Sequence, residues 1–476
     1  MKKLLSVLDL SYLYSFLGEA TLGLTLLFYI LLARVLGPEA YEIFASAAAL
    51  GAILSLFISL GFPDLLTREV ALDPENGPKS TVHFLAVEAV GALVVLALLW
   101  PISRVLRIEG DSLVIFYFVM LAEMSRSVLL TLRGLLKGSG QFRREMKLVT
   151  VERCVVVACS VVVLWLTQSL FWVVLTFALS RFLYVLGFFR YLSRRFDLRS
   201  PLSVQRSVSA FKLAMPLALS GVLWIVFYQA DILMIKAISA EGQAGFYSAS
   251  YRIMEVFSAL YRVIFYVSFT RFSRSFMEET QQLGAKAKGQ MTRQIYKTTL
   301  LLTLGILPIV LIAGLFQVTL VTRLYGETFL PSVRSLAILL PSISIFIFGE
   351  LARYVILAMK QDRYLPPLLG SAVVLNIIVN LLLIPQFGAV GAAIATLVSE
   401  LALTLVCLQV LIKMGYQRVG WTVSAIALVG LFVTAVPSLM LSGNAPNGLW
   451  VLGIVGAGAI AVLITPQHFL KGLPQS

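Results

Sequence analysis

GFYSASYRIMEVFSALYRVIFYVSFTRF, residues 245–272, decides the architecture of the chain. At about 1.5 Å of rise per residue, a helix of this length crosses a hydrocarbon core of about 30 Å. Yet Arg252, Glu255 and Arg262 sit well inside its ends. With about 100° between successive residues, Ser248, Glu255, Ala259, Arg262 and Tyr266 all fall within roughly 80° of Arg252. The helix therefore has one polar stripe and an otherwise apolar surface. Charge at membrane depth is costly unless it faces protein or water. The remaining helices must build the interior, packed or wet, that this stripe faces.

Composition supplies those helices. The 476 residues are 59% hydrophobic and 13% charged, with a mean hydropathy of +0.92, against about 25% charged residues in a soluble domain. The chain reads as an all-α polytopic membrane protein. The net charge of +14 does not mark a nucleic-acid binder, because the basic residues are spread between apolar runs rather than gathered into a tail or patch. Cys154, Cys159 and Cys407 lie in apolar runs without metal-binding spacing and read as small buried hydrophobes. His83 and His468 are isolated, and no glycine-rich phosphate loop with its lysine occurs. No paired carboxylates or nucleophile–base motif occurs either, which argues against an enzyme and against a resident cofactor. The N-terminal MKKLLSVLDL runs into the first apolar stretch without a small-residue cleavage site, so it reads as an uncleaved first span.

About 14 transmembrane helices are expected, at 11–33, 41–62, 81–102, 112–136, 148–166, 170–192, 213–238, 245–272, 295–318, 331–359, 367–384, 388–412, 421–441 and 449–465. Polar connections join the sixth to the seventh at 193–212 and the eighth to the ninth at 274–294. Outside the spans, Lys and Arg gather in alternate connections, and only Arg34, Arg104, Arg107 and Arg323 fall on the other side. That bias places both termini in the cytoplasm.

An internal repeat pairs each span with the one six further on. Glu123 and Arg126 answer Glu350 and Arg353 at an offset of 227, and Thr67-Arg68 answers Thr270-Arg271 at an offset of 203. Six crossings are an even number, so the two lobes run in the same direction about an axis along the membrane normal. The expected organisation is an N-terminal lobe at 1–200, a C-terminal lobe at 201–413 and two additional helices at 414–476. The second span, the counterpart of the eighth, carries no charge in its interior.

The intramembrane charges are the candidate site. Arg252, Arg262, Arg126 and Arg353, with Glu255 as an orienting acid, suit an anionic substrate. A guanidinium donates two parallel hydrogen bonds to a phosphate and stays charged when desolvated. The other reading of Glu123/Arg126 and Glu350/Arg353 is mutual neutralisation that locks helices together. A second constellation is Asp231 with Asn376, Asn380 and Thr396. These are hard oxygen donors with one formal charge, which suits a monovalent cation better than a divalent one; the alternative is interhelical hydrogen-bond glue. The small residues of GAVGAA, 388–393, permit close helix packing.

Four runs carry a family resemblance: LARVLGPEAYEIFA at 32–45, GFPDLLTREVA at 61–71, ADILMIKAISAEGQAGFYSASYRIMEV at 230–256 and NIIVNLLLIPQFGAVGAAIATLVSEL at 376–401. The chain resembles the Wzx-type polysaccharide-biosynthesis flippases of the MOP superfamily, which also contains the MATE drug exporters and the lipid II flippases. The resemblance covers about 11–413. It implies two six-helix lobes in a V around a central cavity, lined by the first, second, seventh and eighth helices. It implies a polyprenyl-diphosphate-linked oligosaccharide as substrate, moved from inner to outer leaflet by alternating access. It also implies coupling to Na+ or H+. The sodium-site positions of lipid II flippases match Asp231, Asn376, Asn380 and Thr396, with Asn380 standing where an acid is usual. Lipid II flippases carry arginines in their first and second spans; here Arg34 stands only at the far end of the first, which argues against lipid II.

The expected partners are the lipid-linked oligosaccharide and membrane lipids, together with a polymerase and glycosyltransferases of the same pathway. A MATE-like, cation-coupled exporter of small molecules is the main alternative, but the net-positive stripe disfavours cationic drugs. A lipid II flippase is a second alternative. A non-transporting scaffold for glycan synthesis is a third, with the basic connections binding partners or anionic headgroups.

Overall fold

The computed structural model describes residues 21–201, 203–281 and 285–441. Among the described residues all regular structure is helical. The protein is an all-α multi-pass membrane protein. Eleven of the described helical stretches are long and apolar enough to cross a membrane. The expected span at 449–465 lies outside the described residues, as do the first ten positions of 11–33. The chain divides into two compact units, Met1–Ala237 and Ile238–Ser476, whereas the span count separates the lobes at 200.

In the first unit the described helices are α1 (Leu22–Ser59), α2 (Phe62–Leu72), α3 (Thr81–Val105), α4 (Asp111–Gly138), α5 (Phe142–Thr167), α6 (Leu170–Ser193) and α7 (Val204–Ile238, whose last residue falls in the second unit). α1 is not a single rod. Gly37 adopts φ 81° and ψ 176°, and Pro38 follows it. Glycine takes positive φ without a side-chain penalty, and proline restarts a helix where no N–H partner is needed. The Phe28 and Phe44 rings lie 6.3 Å apart and those of Tyr29 and Phe44 5.1 Å apart. A straight helix would separate Phe28 from Phe44 by about 24 Å. The two arms of α1 are therefore a hairpin and account for the first and second expected spans.

α4 is the centre of this unit, packing on α1, α2, α3, α5 and α6. Membrane helices associate through close van der Waals packing rather than by leaving water, which favours small residues at their contacts. A Cβ on Gly138 would lie 2.6 Å from the Thr67 carbonyl oxygen of α2. Phe62 of α2 stacks on Phe84 of α3 at 4.8 Å.

The second unit comprises α8 (Gln243–Gln281), α9 (Ala285–Gly305), α10 (Leu307–Leu315), α11 (Gln317–Tyr325), α12 (Ser332–Ala358), α13 (Leu365–Phe387), α14 (Ala389–Lys413) and α15 (Gln417–Leu441). α12 is its centre, packed on α8, α14 and α15 and buried along almost its whole length. α4 and α12 carry the fourth and tenth spans, so the same position of the repeat is the core helix of each unit. α13 and α14 form a tight hairpin at Gly388, where φ is 54°. A Cβ on Gly391 would lie 2.5 Å from the Leu383 carbonyl oxygen, which accounts for the small residues of this stretch. α15, from the region expected to be additional, packs on α12, α10 and α14 as part of the same unit.

Four expectations need correction. Cys154 and Cys159, read as buried, are exposed on α5, while Cys407 is buried. The connection at 193–212 is helical from Val204 on, and that at 274–294 is largely helical: α8 runs to Gln281 and α9 begins at Ala285. Hydropathy marks where a helix leaves the membrane, while Glu, Gln, Lys and Arg sustain helical backbone beyond it. The ninth span, 295–318, is broken around Ile306 and Phe316. Pro308 at the start of α10 has no N–H for the preceding turn and crowds its carbonyl. The second span ends at Leu60 and Gly61, both with positive φ, and a new helix follows. In the repeat counterpart, α8 continues unbroken through Val263 and Ile264.

Candidate functional site

α8 buries the described Ser248 and Arg252 of its polar stripe. Ser248 is fully buried and Arg252 is 9% exposed, while Val256 and Val267 are exposed. The helix is held in that rotation by hydrogen bonds from Ser250 Oγ to the Ser332 carbonyl at 2.8 Å and from Tyr325 Oη to the Ala249 carbonyl at 3.0 Å. Arg252 Nη1 donates to Glu255 Oε2 at 2.6 Å, one turn along the same helix. Arg262 lies on α8; its side chain, like those of Ala259 and Tyr266, is outside the described residues.

The first unit contains a longer network. Arg126 Nε donates to Glu123 Oε2 at 2.6 Å, and Arg126 Nη2 approaches Ser55 Oγ of α1 at 3.4 Å. Glu123 Oε1 lies 3.7 Å from Arg181 Nη1. Arg181 Nε in turn donates to Glu152 Oε1 at 3.1 Å. The Arg181 guanidinium also sits 4.5 Å from the centre of the Phe177 ring. Charges thus alternate as Glu152, Arg181, Glu123, Arg126 across α5, α6 and α4. Glu123 fits because Gly51 faces it: a Cβ there would lie 2.7 Å from Glu123 Cγ. The inner three side chains are buried, but that of Arg126 is 37% exposed. Two carboxylates hold the row together, and a partly exposed arginine ends it.

The counterpart in the second unit differs. Glu350 and Arg353 form an ion pair within α12, and the Arg353 guanidinium sits 5.8 Å from the Phe346 ring. Both side chains are largely buried, at 11% and 12% exposure. Among the described candidate arginines, Arg126 has the most exposed side chain.

The proposed cation ligands are all buried. Asn380 Nδ2 donates to Asn376 Oδ1 at 2.9 Å. Thr396 Oγ1 donates to the Ala392 carbonyl at 3.0 Å and shares a 3.0 Å hydrogen bond with Tyr247 Oη. Asp231 belongs to the first unit and the other three residues to the second. Among the described residues no group of three His, Cys, Asp or Glu could hold a metal ion.

Sequence reasoning singled out Glu123 and Arg126 as charges in spans but not the row they form with Glu152 and Arg181. Tyr247 was not identified, nor was the ion pair of Lys236 and Glu42. Lys236 Nζ donates to Glu42 Oε1 at 2.8 Å and ties the end of α7 to the second arm of α1. Both residues stand near span ends, where charge reads as topology. Tyr247 could have been found from its place one residue before Ser248, beside the stripe.

Comparison with known proteins places these features in context. The family described as polysaccharide biosynthesis protein matches residues 11–276. An uncharacterized membrane protein of Methanocaldococcus jannaschii is 22% identical over 403 residues, covering 81% of this chain and 92% of its own length. The fold is similar to that of the lipid II flippase MurJ in an inward closed conformation, with a TM-score of 0.65 and 14% identity, covering 97% of this chain and 99% of that one. It is similar as well to an inward-facing MATE-family multidrug resistance transporter of the MOP superfamily, with a TM-score of 0.64 and 14% identity over 85% of this chain and 94% of that one. A MOP superfamily transporter from Pyrococcus furiosus gives a TM-score of 0.55 at 13% identity, over 87% of this chain and 94% of that one.

Proposed function

The chain belongs to the polysaccharide biosynthesis protein family, and from that premise we propose that it moves a polyprenyl-diphosphate-linked oligosaccharide from the inner to the outer leaflet of the cytoplasmic membrane. The movement serves surface polysaccharide synthesis and proceeds by alternating access, with both termini in the cytoplasm. It is transport, not catalysis of a covalent step. The observation that supports the substrate class is the partly exposed Arg126 side chain on a membrane-spanning helix, held in place by Glu123. A diphosphate offers paired oxygens to such a fork, and the low dielectric around it strengthens each charge-assisted bond. Arg252, oriented by Glu255, and Arg262 and Arg353 are further candidate contacts to the diphosphate or to acidic sugars. A cationic drug would meet these guanidiniums unfavourably, which supports a glycan lipid over a MATE-type cargo. Coupling to Na+ or H+ supplies the driving force in this reading, and glycosyltransferases and a polymerase of the pathway supply and consume the substrate.

The test is complementation of a strain lacking its own flippase. Wild type restores surface glycan, and Arg126→Ala and Arg252→Ala at equal protein levels lower it at least tenfold. Full export by both variants would remove the arginines from the site.

A further inference from the structure

Four buried acids in the first unit come with a base. Glu42 pairs with Lys236, Glu123 with Arg126, Glu145 with Arg133 and Glu152 with Arg181. Glu88 of α3 departs from this pattern. It is 1% exposed, and among the described residues no base lies within ion-pairing distance of it. Its Oε1 accepts from Thr131 Oγ1 of α4 at 2.5 Å, and its Oε2 is buried with no hydrogen-bond partner.

Among the described residues, none on the elements packed on α3 pairs with Glu88; α2, whose Phe62 stacks on Phe84, carries Asp64 and Arg68, both exposed, and the half-buried Glu69. On the Thr131 face of α4 the nearest titratable group is Glu123, two turns away and committed to Arg126 and Arg181. In α1 no titratable residue lies between Glu42 and its end at Ser59. The turn Gly77–Ser80 carries Lys79, whose Nζ donates to Asn76 Oδ1 at 2.9 Å. On α3 itself the nearest titratable side chain is the buried His83, five residues back. The carboxyl is itself closed off from solvent, with Glu88 1% exposed and Gly91, one turn on, in contact with the Ile58 backbone. A carboxylate with one hydrogen bond and one orphaned oxygen is poorly solvated in such a place, and the neutral acid is the form it accommodates.

We propose that Glu88 is a proton-binding site. It holds its proton while α3 is packed on α1 and α4. When that packing opens, the O–H bond breaks, the electron pair stays on the carboxylate and the proton passes to water. The Thr131 hydroxyl serves both forms, because it can accept from the acid or donate to the carboxylate. Proton binding stands on the geometry alone; a role in coupling rests on the transporter reading above.

Infrared spectroscopy of the purified protein in lipid at neutral pH tests the site. Wild type gives a neutral carboxylic acid carbonyl band that Glu88→Gln loses and that Thr131→Val shifts. Identical spectra for wild type and Glu88→Gln would overturn the proposal. Proteoliposomes then test coupling with a fluorescent polyprenyl-diphosphate-linked disaccharide. An imposed pH gradient accelerates movement by the wild type, and Glu88→Gln loses that acceleration. A full gradient response in Glu88→Gln would overturn the coupling role. No movement by wild type, with the infrared band present, would sink the flippase reading and leave the proton site standing.

Discussion

Gly51 and Glu123 show how tightly a single residue sets the site. A Cβ at position 51 would fall 2.7 Å from Glu123 Cγ, and Glu123 cannot swing away without leaving its arginines. Gly51→Leu is expected to destabilise by about 1–3 kcal/mol, the usual range for overpacking. Gly187→Ala is the control, since nothing lies within 4 Å of its added Cβ. Thermal unfolding in detergent checks both. Asp73, at the end of α2 and in solvent, gives a prediction of another kind. It accepts from the Asn76 backbone N–H at 3.0 Å, the Asn76 side chain at 3.1 Å and the Glu75 N–H at 3.2 Å. The Asn76 bonds, the backbone one foremost, hold its carboxyl below the ordinary value. A carboxyl lowered in the folded state stabilises above its unfolded pKa, and that stabilisation is lost as pH falls through the lowered value. Wild type should therefore melt above Asp73→Ala at neutral pH, and the two should converge as pH drops below about 4. A constant gap down to acid pH would contradict this.

Among the elements, α4, α5 and α6 are joined by one guanidinium. Arg181 contacts Glu152 at 3.1 Å and Glu123 at 3.7 Å. Arg181→Met should cost about 3–5 kcal/mol, because it strands a buried carboxylate on α5. Adding Glu152→Gln should recover much of that loss. Chemical unfolding of the two variants, with equal destabilisation in both, would refute the bridge. Helix existence along these segments was legible because each apolar run is long enough to span. Helix ends were not, since polar helix formers extend α7, α8 and α9 past the apolar runs. The α1 hairpin was legible only as a Gly37-Pro38 break between two spans. That the second span would stop at Leu60-Gly61, while its repeat counterpart runs on, followed from backbone conformation that the hydropathy pattern does not encode.

For the whole molecule, alternation of Lys and Arg between connections predicts an orientation. A cysteine placed at Arg199, exposed between α6 and α7, in a background lacking Cys154, Cys159 and Cys407, should react with an impermeant maleimide only from the cytoplasmic side. Labelling from intact cells would reverse the topology. The six-span repeat has a structural correlate in α4 and α12, the buried centres of their units. The repeat does not extend to chemistry. The Arg126 side chain is partly exposed, while those of Glu350 and Arg353 are largely buried. The sequence motif is the same; the neighbours differ.

By itself the sequence determined that the chain crosses the membrane many times, that it is built from a six-span repeat and that its intramembrane charges are the residues to watch. Those conclusions follow from transfer cost and periodicity, which are local quantities. Only the tertiary structure decided which charges meet. The row from Glu152 to Arg126, the Lys236–Glu42 tie and the isolation of Glu88 each depend on helices far apart in sequence. At membrane depth a charge is defined by what stands opposite it, and spacing along one helix cannot supply that partner.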